Sequence, residues 1–314
     1  MSGVFTLSVD VEGLWGLFFV RSYVDDTSAA EAGRRALPRM LSLLAERRMH
    51  ATFAFVGHLF LDRCGPWTGV PHPDAPRPKY SWYDRDWFAD DPGGDETSHP
   101  LWYARSQALA AAAAGHDVGA HGFAHAILDS SCVGADVADF EFAQAQSAAR
   151  AAGLPPLRSF VFPQNVVGHT DRLAAAGFAC YRESDGGRGA RAGPPGGLRR
   201  ARNLAEHALA AEPFVGKPVR RADGVVALPS SFPLLGREGI RKAVTRGARV
   251  ARVEKGLDAA ARDGAMLHVW THPHALSDEE SFSDLVAVLD AVARRRDRGD
   301  VEVLTMAGAA ALAV

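Results

Sequence analysis

The chain reads as an α/β protein, a distorted parallel (β/α) barrel of about seven strands. Three observations predict it. Apolar runs of strand length alternate with helix-period segments along the chain, making seven or eight β-α units. The runs are rich in Val, Phe and Leu without strict polar alternation, as expected of strands buried on both faces. The 314 residues suit one barrel better than an open sheet.

The units follow in order. VFTLSVD (4–10) is the first strand, and 30–48 is a helix with Leu37, Met40, Leu41 and Leu44 at helical spacing. ATFAFVG (51–57) is a strand, 99–115 a helix closed by glycine, and HDVGAH (116–121) a short strand. A helix over 135–153 leads to strand SFVFP (159–163). HTDRLAAAG (169–177) reads as a helix and FACYRE (178–183) as a strand. GVVALPS (224–230) is a strand, 236–264 is largely helical, and AMLHVWTH (265–272) is a strand. The segment 277–296 has an acidic first turn and a basic last turn, as a helix macrodipole prefers, and VEVLTM (301–306) closes the series. All 314 residues are expected in a single domain.

Two segments break the rhythm. Residues 62–99 are long, proline-rich and aromatic, and they read as a lid insertion, because a loop of that length in a compact domain carries function or is disordered. Tyr80, Trp82, Tyr83, Trp87 and Phe88 argue for order. Residues 184–200 are Gly- and Arg-rich and read as a surface connection.

Composition narrows the function. With 47% hydrophobic and 23% charged residues and a net charge of -2, the chain is ordinary for a globular protein and carries no basic footprint for nucleic acid. No apolar run is long enough for a membrane span. Cys64, Cys132 and Cys180 are odd in number and far apart, so buried free thiols are expected. Nothing near the start reads as a targeting segment, so the expected location is the cytoplasm. A homo-oligomer is compatible with all of this.

Chemistry-bearing residues collect at strand ends, where barrels of this class place their sites. Asp10 and Glu12 end the first strand, His121 and His125 follow 116–121, and His272 ends 265–272. Asn165 and Arg182 also lie near strand ends. Two imidazoles and a carboxylate make a facial metal site with open positions. The four-residue spacing of His121 and His125 suits a helical turn.

The ordered set SVDVE, ATFAFVG, GAHGFAH, FVFPQN and LHVWTHPH resembles the polysaccharide deacetylases, carbohydrate esterase family four, over roughly 4–183 and 225–276. The resemblance implies a deacetylase-type barrel and one divalent metal ion, zinc first, with Co²⁺, Ni²⁺ or Fe²⁺ as alternatives. By that resemblance Asp10 is the catalytic base, and His121 and His125 are metal ligands. His272 is the general acid. Position 11 is Val where many members carry a second aspartate, so the Asp-x-Glu branch makes Glu12 the third ligand. Strand geometry agrees, since residues two apart face the same way. The family's third motif has an arginine beside proline to hold the base. FPQN offers Gln164 and Asn165 instead, and Arg158 sits at the wrong strand end. Arg182 is the candidate replacement. Trp82, Trp87, Asn165 and Arg182 are expected to contact substrate, with ordinary lid packing as the alternative for the two tryptophans. His268 reads as a packed strand histidine, while Asp117 and His169 are candidates for supporting roles.

The expected activity is hydrolysis of an N-acyl group, acetyl first, from an amino sugar or a sugar-containing small molecule. Two alternatives stand beside it: hydrolysis of a formamide or cyclic amide, and a carbohydrate-binding barrel without catalysis.

Overall fold

The computed structural model describes residues 2–185 and 197–313. Strand β1 (Gly3–Val11) is the centre of the sheet. It pairs in parallel with β11 (Met266–Thr271) on one side, from Val4↔Met266 to Val9↔Thr271. On the other side β12 (Val301–Val303) takes the lower half of its edge and β2 (Thr52–Phe55) the upper half. Parallel pairing then runs through β5 (Asp117–Ala120), β6 (Ser159–Val161), β7 (Cys180–Asp185) and β9 (Val226–Ser230). Beyond β9, the two residues of β10 (Phe232–Pro233) pair with β11. One stretch of chain, 226–233, therefore touches β7 and β11, and the sheet curls into a half-barrel. Antiparallel β8 (Val219–Arg220) edges β9, and β3 (Arg63–Cys64) pairs with β4 (Gly94–Asp95) in a separate ribbon.

The main sheet holds ten strands among the described residues, more than the seven expected. The strands not read from the sequence are β8 and β10, of two residues each and too short to carry a readable period, while β12 is the predicted 301–306 strand cut to three residues. Helices α2 (Ser28–Glu46), α3 (Arg105–Ala113), α4 (Ala135–Ala151), α6 (Arg246–Asp263) and α7 (Glu279–Asp297) match the predicted segments. Short α1 (Arg21–Asp25) and α8 (Met306–Ala310) were not predicted, and α5 (Gly197–Ala208) begins inside the expected connection. The rest of that connection, 186–196, lies outside the described residues. Residues 99–104 are turns rather than helix, because their carbonyls are committed elsewhere: Pro100 and Tyr103 accept from Arg34, and Leu101 from the Leu14 N–H. The predicted helix over 169–177 shrinks to one 3-10 turn, Thr170–Arg172, entered through left-handed His169.

The two faces of β1 differ. Phe5, Leu7, Val9 and Val11 are buried in the main apolar core. Thr6, Ser8 and Asp10 alternate with them and are equally buried, so one face of the strand is a polar column. That column carries the first catalytic candidate to the upper rim. At the opposite end Asp117 Oδ2 accepts from Thr52 and Ser159 hydroxyls at 2.8 and 2.7 Å and from the Ala307 N–H. Asp117 thus staples strand starts to α8 and supports no site. No helix among the described residues is long and apolar enough to cross a membrane. Cys64 and Cys180 are buried as expected, whereas Cys132 is exposed.

Candidate active site

Glu12 leaves the end of β1, and its carboxylate is the focus of the rim. Its Oε1 lies 3.1 Å from His121 Nε2, 3.1 Å from His125 Nε2 and 3.2 Å from His272 Nε2. Glu12, His121 and His125 are all buried, and one donor atom from each lies within 4.8 Å of the others. A side chain on Gly16 would collide with the Glu12 carboxylate, so glycine there makes the room.

The donor chemistry fits a divalent metal. His121 Nδ1 lies 2.9 Å from the Val161 carbonyl and donates to it, which leaves the Nε2 lone pair facing Glu12. Burial pushes the His125 pKa down, the direction that suits a neutral imidazole ligand. Burial alone would raise Glu12, but His272 and His125 hold its carboxyl well below the usual range.

The two histidines are not paired by a helix. The segment 121–128 is irregular, with Gly122 at φ 74° and His125 itself left-handed at φ 60°. What shapes it is Glu141, from the buried face of α4. This carboxylate accepts the N–H groups of Phe123 at 2.7 Å, Ala124 at 3.1 Å and Ala126 at 3.3 Å. Burial pushes its pKa up to about 7, and those N–H bonds pull against the rise. Its sequence signal was an acid inside the apolar stripe of α4, beside Val137, Ala138 and Ala145.

Asp10 lies one step below Glu12, buried, with both oxygens on Arg182: Oδ1 at 2.8 Å and Oδ2 at 2.6 Å. Burial would raise Asp10, but Arg182 and His121 outweigh it and lower the pKa. Arg182 therefore supplies the cation that FPQN lacks. It is 1% exposed, and its remaining N–H groups go to Ser8 Oγ and Asn165 Oδ1. The expectation that Arg182 contacts substrate is corrected, because its donors are spent on the protein. Asn165 orients Arg182 through its carbonyl while lining the cleft. Ser8 also bonds His268 Nε2 at 2.9 Å, and the Pro229 carbonyl takes His268 Nδ1. His268 is thus a packed strand histidine, as read. His272 follows β11, 4.0 Å from Asp10 Oδ2, and His274 stacks on it at 4.7 Å. Burial would lower His272, but the Glu12 and Asp10 carboxylates raise it. His169 donates to or accepts from nothing in the site; its Nε2 bonds the Val133 carbonyl.

The cleft over these groups has a volume of ≈ 260 Å³ and is walled by Phe19 and Trp270. Neither aromatic was singled out from the sequence. Trp87, expected to bind substrate, is 1% exposed and donates to the Ala124 carbonyl at 2.8 Å. It braces the histidine loop from behind. Trp82 packs on Tyr80 and Phe19 and does not line the cleft. The insertion does cover the rim loop, since the Tyr80 hydroxyl bonds both the carbonyl and the N–H of Ile127.

Comparison with known proteins gives a consistent picture. Residues 20–178 match the sequence profile described as Polysaccharide deacetylase. That segment includes His121 and His125, while Asp10, Glu12, Arg182 and His272 are brought to it by β1, β7 and β11. A structure assigned as a polysaccharide deacetylase from Mycobacterium smegmatis is similar over 99% of this chain and 90% of that one, with TM-score 0.64 and 16% identity. One so assigned from Pseudomonas aeruginosa PAO1 covers 98% of this chain and 90% of its own, with TM-score 0.58 and 12% identity. An allantoinase structure gives the same TM-score of 0.58 at 12% identity, covering 98% of this chain and 90% of its own. At such identities these likenesses speak for the fold. Among curated proteins no sequence matches.

Proposed function

The chain belongs to the polysaccharide deacetylase family, and from that membership we propose that it is a metal-dependent hydrolase removing an N-acyl group, acetyl first, from an amino sugar or a sugar-containing small molecule. The observation that carries this reading is the convergence of Asp10, Glu12, His121, His125 and His272 on one cleft.

Glu12, His121 and His125 would hold the metal, which supplies a water of lowered pKa and a polarised carbonyl. Asp10 takes the proton of the attacking water. Arg182 keeps it ionised at neutral pH, and a carboxylate has lone pairs beyond the two that Arg182 occupies. Amide cleavage then needs a proton on the departing nitrogen, and His272 supplies it from Nε2. Its carboxylate neighbours favour the charged, proton-bearing form. Phe19 and Trp270 offer ring faces against which a sugar can lie, and they keep bulk water from the reacting bond.

Acetate release from a panel of N-acetylated sugars, run beside formamide and cyclic-amide substrates, tests the reading. Turnover that appears only with divalent metal and disappears in Asp10→Asn is the expected result. Turnover confined to the other amides moves the protein to the alternative bond. Sugar binding with no hydrolysis on metal-replete protein sinks the enzymatic reading.

A further inference from the structure

A second cluster of metal-type donors lies at the root of the insertion, away from the cleft. His58 comes from the 3-10 turn after β2, Cys64 from β3, and His72 and Asp91 from the insertion loops. His58, Cys64 and Asp91 are buried and His72 nearly so, and one donor atom from each lies within 4.8 Å of the rest. Asp91 Oδ2 is the focus. It is 2.7 Å from His72 Nε2, 3.3 Å from His58 Nε2 and 3.6 Å from Cys64 Sγ. Cys64 Sγ is 3.4 Å from His72 Nε2.

We propose that His58, Cys64, His72 and Asp91 form a closed structural site for Zn²⁺, independent of the Glu12 centre. Three observations carry it. The first is size: tetrahedral zinc with Zn–N of about 2.05 Å and Zn–S of about 2.3 Å requires ligand separations of roughly 3.3–3.6 Å, and three of the four measured edges fall there. The fourth, His72 to Asp91, is a hydrogen bond, the contact that such a pair makes with a proton between them. The second is the orphaned polar group. Neither ring nitrogen of fully buried His58 reaches good hydrogen-bond geometry, although Asp91 Oδ2 lies 3.3 Å from Nε2 and the Trp102 backbone is its other polar neighbour. A buried imidazole left so costs free energy unless something else binds it. The third is charge. A thiolate, a carboxylate and two neutral imidazoles carry two negative charges, which one Zn²⁺ cancels, leaving a neutral buried complex. Binding releases the thiol proton to solvent. The Glu12 centre has the same signature, with nitrogens drawn around one carboxylate oxygen, but there one side opens to a cleft.

The site would clamp the insertion to the barrel. The His58 N–H donates to the Phe123 carbonyl and the Gly57 N–H to the Gly122 carbonyl, inside the loop that holds His121 and His125. The Phe123 ring packs on both His58 and His72, at 5.6 and 6.0 Å. A metal at the root would therefore stiffen the loop behind the rim.

Elemental analysis and cobalt substitution test this apart from activity. The full chain reconstituted with Zn²⁺ should hold two metal equivalents. His121→Ala should lose one of them, and Cys64→Ala or His72→Ala should lose the other. With Co²⁺, a thiolate-to-cobalt charge-transfer band should appear in the parent protein and persist in His121→Ala, because the rim centre has no sulfur. It should vanish in Cys64→Ala. The parent and His121→Ala measurements need no fold-sensitive variant at the root. One equivalent that is lost entirely in His121→Ala, or cobalt-loaded protein without a thiolate band, overturns the proposal and leaves a buried His–Asp ion-pair network.

Discussion

The rim and the root of the insertion use the same arrangement for different ends. At each, histidine nitrogens gather around one buried carboxylate oxygen. The rim places the three proposed ligands beside the proposed base and acid and faces a cleft walled by Phe19 and Trp270. The root gathers four donors, one of them sulfur, and faces packed aromatics such as Trp67 and Phe88. An open ligand set leaves positions for water and substrate, whereas a complete set leaves none. Perturbing the rim should therefore change chemistry, and perturbing the root should change stability.

The largest expected effect lies at the rim. Asp10→Asn should lower turnover by roughly 10²–10⁴-fold with metal content unchanged, as loss of a general base does. Glu12→Gln should instead lose metal, so elemental analysis of the two variants separates base from ligand. The reverse pattern would exchange their roles.

Arg182→Met breaks a buried pair and should cost about 3–5 kcal/mol by denaturant titration. It also shifts activity in a defined direction. Arg182 helps to hold Asp10 below its usual pKa, so removing it raises that pKa. The acidic limb of kcat/KM then moves to higher pH. An unmoved limb would show that Asp10 is not the titrating base.

Trp87→Ala removes a buried aromatic that braces the histidine loop but does not line the cleft, and it should cost about 3–5 kcal/mol with KM near the parent value. Trp270→Ala should raise KM with little loss of stability. A raised KM in Trp87→Ala alone would restore the substrate role expected from sequence. Glu141→Gln leaves the loop's N–H groups with a weaker acceptor, and metal affinity at the rim should fall roughly 10–100-fold, as for other groups that orient ligands. The thiolate–cobalt band at the root should survive it.

The smallest effect gives a baseline outside both centres. Burial pushes the His116 pKa down to about 4 and the His207 pKa down to about 3. The unfolded chain takes up these protons near pH 6.5 while the folded one resists. Their contribution is full above pH 6.5 and is lost as pH falls from there, toward 4 for His116 and toward 3 for His207. His207→Leu should flatten that slope in Tm. An unchanged slope would assign the acid sensitivity to other groups.

Much of this was legible along the chain because it rests on local rules. Strand runs, helix periods and residues two apart on a strand are set by backbone geometry, so Asp10, Glu12, His121, His125 and His272 could be placed at strand ends from order alone. The same reasoning misplaced Trp82, Trp87 and Asp117, since which end or face a side chain occupies depends on neighbours far away in sequence. Arg182 is 172 residues from Asp10, and only the curl of the sheet puts its guanidinium between β1 and β7. Glu141 acts on a loop rather than on its own helix. Cys64, His72 and Asp91 lie in an insertion whose sequence has no period, and they converge only when it folds back on the barrel. The sequence determined which residue types stand at which strand ends. The tertiary structure alone decided which partners share a buried space, because desolvation and charge pairing act through distance, and distance across a barrel is not written in residue spacing.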